Sequence, residues 1–93
     1  MIKIVHEAEN KRSAAYDGER NVGECTYSES PEIWIIDHTF VDDAYGGQGI
    51  AGKLVAEVVE RAREKGVKII PLCPFAKKEF DRKPEYGDVL SKQ

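Results

Sequence analysis

The stretch from Trp34 to Leu54 holds the residues best placed to bind an anion. It runs Trp-Ile-Ile-Asp-His-Thr-Phe-Val-Asp-Asp-Ala-Tyr-Gly-Gly-Gln-Gly-Ile-Ala-Gly-Lys-Leu. A β-branched apolar run passes through a turn into a cluster of glycines, and the cluster opens an amphipathic helix. Glycine lets the main chain approach a ligand closely, and the first N–H groups of a helix have no partner inside it. Those donors, together with the positive end of the helix dipole, favour phosphate. Two other side chains have the chemistry for proton transfer or nucleophilic attack. His38 lies in the strand leading to the glycines, and Cys73 follows a later apolar run.

Two well-known phosphate patterns fit the cluster only in part. Gly47-Gln48-Gly49-Ile50-Ala51-Gly52 matches G-x-G-x-x-G after a strand and at a helix start. A dinucleotide site also needs an acidic residue roughly 20 residues on, and Val67 to Cys73 contains neither Asp nor Glu. Gly47 to Lys53 matches G-x-x-x-x-G-K, but Leu54 stands where a P-loop needs Ser or Thr for magnesium.

The elements that must position these residues are readable from pattern. Met1 to Val5 alternates as a first strand. Arg12 to Tyr16 and Val22 to Tyr27 flank Asp17-Gly18, a hairpin signal, with a loop reaching about Asn21. Glu32 to Val41 reads as the central strand. Asp42 to Gly47 is a turn. From about Gln48 to Lys65, Ile50, Leu54, Val55, Val58, Val59 and Ala62 form one helical stripe, stopped at Gly66. Val67 to Leu72 is a short strand, confined by Pro71 to an edge or to the end of pairing. Pro74 to about Asp81 is a second, short helix with Pro74 in its first position. The tail with Pro84, Tyr86 and Gly87 is irregular. The order β-β-β-β-α-β-α predicts an α+β fold, in which a mixed, mostly antiparallel sheet carries one main helix and one short C-terminal helix.

The 93 residues make one small domain, 1–93, with a thin core. A net charge of −3 leaves no electrostatic footprint for nucleic acid. Lys77-Lys78 and Arg82-Lys83 read first as solvated surface. No apolar run is long enough to cross a membrane as a helix, and the first residues are too polar for a secretion signal. Cys25 and Cys73 have neither metal spacing nor a disulfide framework, which predicts reduced thiols in a cytoplasmic protein without a metal. Cys25 and Trp34 read as core.

Gly46-Gly47-Gln48-Gly49-Ile50-Ala51 is similar to the pyrophosphate loop of the GCN5-related N-acetyltransferases (GNAT), Gln/Arg-x-x-Gly-x-Gly/Ala. Gly49 and Ala51 match. Gly46 departs from the first position, which removes a side chain and keeps the N–H donors. His38 to Tyr45 resembles the strand and turn before this loop, Gly49 to Val55 the helix start, and Arg61 to Ile70 the helix end feeding the next strand. Pro71-Leu72-Cys73-Pro74-Phe75 with the later Pro84-Glu85-Tyr86 is similar to a compact subfamily, the YjdJ-type proteins. The resemblance covers roughly residues 30–90.

The resemblance implies a GNAT-like sheet whose strands Glu32–Val41 and Val67–Leu72 splay apart around acetyl-CoA as co-substrate. The main chain of Thr39, Phe40 and Val41 would bond the pantetheine arm. Gly46, Gly47, Gln48, Gly49, Ile50, Ala51 and Gly52 would cradle the pyrophosphate, with Lys53 adding a charge. Pro74 and Phe75 would line the cleft at the start of the short helix, and Lys77 and Lys78 could meet the 3′-phosphate. His38 would act as base on the amine. Cys73 would protonate the leaving thiolate, or act as a nucleophile with His38 as its base. Tyr86 is a further candidate acid.

Larger family members place helices after the first strand and strands after the last helix, and this sequence goes almost directly from Val5 to Arg12. The acceptor, a small amine or an exposed lysine, would then meet an open face or a second subunit, as a monomer or weak homodimer. The expected activity is N-acetyl transfer. The alternative is a module that binds acetyl-CoA or CoA with little or no transfer.

Overall fold

The computed structural model describes residues 1–91. Five strands form one sheet in chain order: β1 (Ile2–Glu7), β2 (Arg12–Asp17), β3 (Arg20–Glu29), β4 (Ile33–Val41) and β5 (Lys68–Pro71). The first four are antiparallel, and β5 runs parallel to β4 after the crossover through helix α1 (Ile50–Lys65). Helix α2 (Pro74–Arg82) follows β5, with Pro74 in its first turn. This is the predicted α+β order. The hairpin is tighter than expected: Asp17 pairs with Arg20 across a two-residue turn, where Gly18 takes φ +63°.

The helical stripe is buried as its spacing predicts. Ile50, Leu54, Val55, Val58, Val59 and Ala62 pack on Ala15, Val22, Cys25, Tyr27, Trp34 and Ile36 of the sheet. Truncating Leu54, wholly buried, to alanine costs about 2–5 kcal/mol on the usual scale for such sites. The buried Ser13 hydroxyl donates to the Leu54 carbonyl at 2.7 Å, so the polar group inside this interface is satisfied. Gly66, at φ +73°, caps α1 by donating to Ala62 and Arg63.

The opposite sheet face carries side-chain pairs instead of a helix. Arg12 donates to Glu7 and Glu24, both at 2.7 Å, and Asp37 accepts from Thr26 at 2.6 Å and Ser28 at 2.9 Å.

The tail is more ordered than its composition suggests. A 3-10 turn at Pro84–Tyr86 buries Tyr86 against Phe80, and the chain then returns beside β5. Ile69 donates to Val89 at 2.6 Å and accepts from Ser91 at 2.8 Å, so β5 has a neighbour on each side. Among the described residues, no helix is long and apolar enough to cross a membrane, and no group of His, Cys, Asp and Glu is placed to hold a metal ion.

Candidate functional site

The glycine cluster is fixed at both ends. Before it, the Asp42 side chain accepts from the Ala44 N–H at 2.9 Å and caps a 3-10 turn, Asp43–Tyr45. The Tyr45 hydroxyl donates to Asp17 at 2.6 Å, which ties the turn to the β2–β3 hairpin. After it, Gly49 is the N-cap of α1 at φ +74°, with Gly47 also left-handed at φ +79°. Both conformations suit glycine and strain other residues. Lys53 makes the first return bond of the helix, to the Gly49 carbonyl at 3.2 Å. The N–H groups of Ile50, Ala51 and Gly52 precede that bond and are the orphan donors of the helix start. No side chain caps this end and no acidic residue lies in the first turn. The exposed Lys53 stands there instead, which opposes the helix dipole. A helix start built this way is suited to an anion from outside. A cavity of about 250 Å³ runs from Val41 and Tyr45 over the glycines to Phe75.

The second feature is where β4 and β5 part. They pair only over Ile33–Ile36 and Lys68–Pro71. Leu72 and Cys73 both donate to the Ile36 carbonyl at 3.0 Å, and the chain then leaves the sheet into α2. β4 continues to Val41 with β3 as its one strand neighbour among the described residues. Peptide groups alternate between the two sides of a strand. Asp42 donates to Val22 of β3 at 2.8 Å, so the main chain of Val41 and Thr39 faces the open side. That of Phe40 faces β3, where its carbonyl would lie 2.9 Å from a Cβ added at Gly23. This corrects the expectation that Phe40 offers its main chain to a ligand. Only its side chain, 52% exposed, is available.

Cys73 sits at the fork, as N-cap of α2 and 7% exposed. Its thiol donates to the Thr39 hydroxyl at 3.4 Å, and that hydroxyl donates to Cys25 at 3.6 Å. Burial opposes ionisation of Cys73. The Thr39 hydroxyl and the main-chain N–H groups of Ala76 and Phe75 outweigh it and hold the thiol below its ordinary value. For Cys25 burial dominates and pushes the thiol up to about 12, despite the same hydroxyl.

His38 is exposed and points the other way. A β-bulge leaves Asp37 without a partner: Tyr27 pairs with Ile36 and Thr26 with His38. Trp34 and Ile36 face the core, the bulge takes up one residue, and Thr39 resumes the inward phase. His38 therefore shares the outer face with Phe40 and is not arranged to activate Cys73. The half-buried imidazole of this chain is His6, which bonds the Tyr27 hydroxyl at 2.6 Å and stacks on Tyr27 and Trp34, at the other end of the sheet.

The remaining expected residues divide. Gly46, Gly47, Gly49, Ile50, Ala51, Gly52, Val41 and Phe75 share the 250 Å³ cavity wall. Gln48 is an exposed member of the loop between Gly47 and Gly49, and Pro74 is exposed at the head of α2. Lys77 and Lys78 point to solvent along α2, and Tyr86 is packed into the core. Three residues were missed. The sequence points to the main chain of Thr39 and not to its side chain, it singles out nothing at Glu79, and Arg82 reads there as solvated surface. Glu79 is 2% exposed and takes Arg82 and Lys83 as partners.

A family model described as GCN5-related N-acetyl-transferase matches residues 12–89. A GCN5-like protein from Staphylococcus aureus is 37% identical, with a TM-score of 0.74 over 98% of this chain and 89% of that one. A GNAT family acetyltransferase from Elizabethkingia anophelis, solved with acetyl-CoA bound, is 19% identical with a TM-score of 0.61, covering 81% of this chain and 51% of that one. An N-acetylglutamate synthase from Neisseria gonorrhoeae, complexed with coenzyme A and N-acetyl-glutamate, is 16% identical with a TM-score of 0.65, covering 85% and 21%. No curated protein matches the chain.

Proposed function

The chain belongs to the GCN5-related N-acetyltransferase family, and from that premise we propose that it moves an acetyl group from acetyl-CoA to an amine. One observation carries this reading. The orphan N–H groups of the α1 start, the main chain of Thr39 and Val41 on the side of β4 that β5 has left, and the Cys73 thiol all open on the fork between β4 and β5. The residues present fit the cofactor. Gly46 to Gly52 offer main-chain donors, and Gly46, Gly47, Gly49 and Gly52 put no side chain in the way of a pyrophosphate. Thr39 and Val41 offer a strand edge for the amides of the pantetheine arm. Acetyl-CoA would supply the activated acyl group.

The chain itself supplies proton management. An amine that attacks must lose a proton, and the thiolate that leaves must gain one. Cys73 holds a proton on Sγ at the fork, and its lowered affinity for that proton suits a proton donor to the leaving thiolate. Because Cys73 lies in the core at the α2 start and His38 lies on the outer face, the two would serve opposite sides of the cleft. His38 would take the proton of an amine arriving over the open sheet. The whole of 1–93 would act as one minimal domain, as a monomer or weak homodimer, with the amine on an exposed lysine or a small molecule.

A calorimetric titration with acetyl-CoA followed by an amine panel tests the proposal. Binding with transfer to at least one amine is expected. Tight binding without transfer to any amine would leave a binding module. For Gly49→Val, affinity should fall by about a hundredfold or more, since the left-handed cap and the bare cradle are both lost. Undiminished affinity would remove the loop from the site.

A further inference from the structure

Beyond the glycine loop, a second cavity of about 430 Å³ opens between the α1 start and α2. Its wall includes Gly49, Gly52 and Phe75, which also border the first cavity. The charges around it are unusual for an acidic chain. Lys53, Arg82 and Lys83 stand at its rim, and among the described residues the one carboxylate lining it is that of Glu79.

Glu79 explains how the cations are held. It is almost wholly buried, and Gly52 makes room for it: a Cβ there would lie 3.2 Å from its Oε1. One oxygen bonds Arg82 and the other takes Lys83 at 3.1 Å. The Lys83 ammonium also lies 5.5 Å from the centre of the Tyr86 ring. Arg82 remains 70% exposed, so most of its guanidinium donors are free for a ligand. Three cations against one carboxylate leave a surplus of two positive charges, which matches a phosphomonoester at neutral pH.

We propose that Arg82, with Lys83 and Lys53, forms a phosphomonoester subsite that reads the 3′-phosphate of CoA, and that buried Glu79 is its positioning residue. This rests on the acetyl-CoA reading above. A pantetheine arm lying along Thr39 and Val41, with its pyrophosphate on the loop, leads the nucleotide end toward this cavity. Lys77 and Lys78, the lysines expected to meet that phosphate, do not line it. The consequence is a choice of donor: CoA thioesters are preferred over thioesters on carriers that lack the 3′-phosphate.

The test is calorimetry with CoA and with dephospho-CoA, on the wild type and on Arg82→Gln and Lys83→Gln. Each variant leaves Glu79 one cationic partner, and thermal melts check folding. The wild type should bind CoA about tenfold more tightly than dephospho-CoA, and the preference should shrink as salt rises. Arg82→Gln should bring the ratio to about twofold or less, with Lys83→Gln intermediate. Equal affinities in the wild type, or an unchanged ratio in Arg82→Gln, overturn the subsite. If neither nucleotide binds the wild type, the acetyl-CoA reading itself fails, which is a different result from equal binding.

Discussion

Cys25 and Cys73 lie on either side of the Thr39 hydroxyl, at 3.6 and 3.4 Å, and their chemistry diverges. Cys25 belongs to the middle of β3, and burial holds its proton. Cys73 stands where a strand ends and a helix begins, so main-chain N–H groups converge on its sulfur. What separates a packing thiol from a working one here is backbone geometry, since the hydroxyl is common to both. The two histidines make a similar contrast: His6 is bonded and stacked, whereas His38 stands on the open face.

The widest gap between the thiols should show in alkylation. At pH 8, Cys73 should react with iodoacetamide at least about a hundredfold faster than Cys25, read by peptide mass spectrometry. Acetyl-CoA should slow only Cys73. Comparable rates would erase the distinction.

Mutation should separate their roles next. Cys73→Ala is expected to lower acetyl transfer by about a hundredfold while CoA affinity stays within about threefold. Cys25→Ala should leave transfer intact and cost about 1–2 kcal/mol of stability, measured by urea denaturation, through the cavity left behind.

Thr39→Val asks how much the shared hydroxyl contributes. It lowers the Cys73 value, so its removal should move the pH midpoint of Cys73 alkylation upward. An unmoved midpoint would assign the effect to the main-chain N–H groups of Thr39, Phe75 and Ala76.

The smallest expected effect concerns His6, whose value burial lowers below 6.5. The unfolded chain then binds the proton more readily than the folded one. Its contribution to stability is full above pH 6.5 and is lost as pH falls through the folded value. His6→Gln should flatten the melting temperature between pH 7 and pH 5.

Much of the fold was legible because its signals are local. The α1 stripe, the Gly66 stop, Pro74 at the head of α2 and the glycine loop are each written within a few residues. The phase of β4 was not. Whether His38 or Thr39 meets Cys73 depends on the bulge at Asp37, which exists only in the pairing with β3. The same bulge fixes which peptide groups face the cleft, and so it set aside the main chain of Phe40. Arg82-Lys83 reads as surface charge until the burial of Glu79 beneath it is known. The order of the tail is not written locally for a like reason, because it comes from contact with Ile69, some twenty residues back.

The central claim, that the fork between β4 and β5 is the acetyl-CoA site, is tested most directly by an amide NMR titration with acetyl-CoA. The account predicts shifts at Thr39, Val41, Gly46 to Lys53 and Cys73 to Ala76, with His6 and its neighbours unmoved. Saturating acetyl-CoA with no shifts at those amides would contradict it.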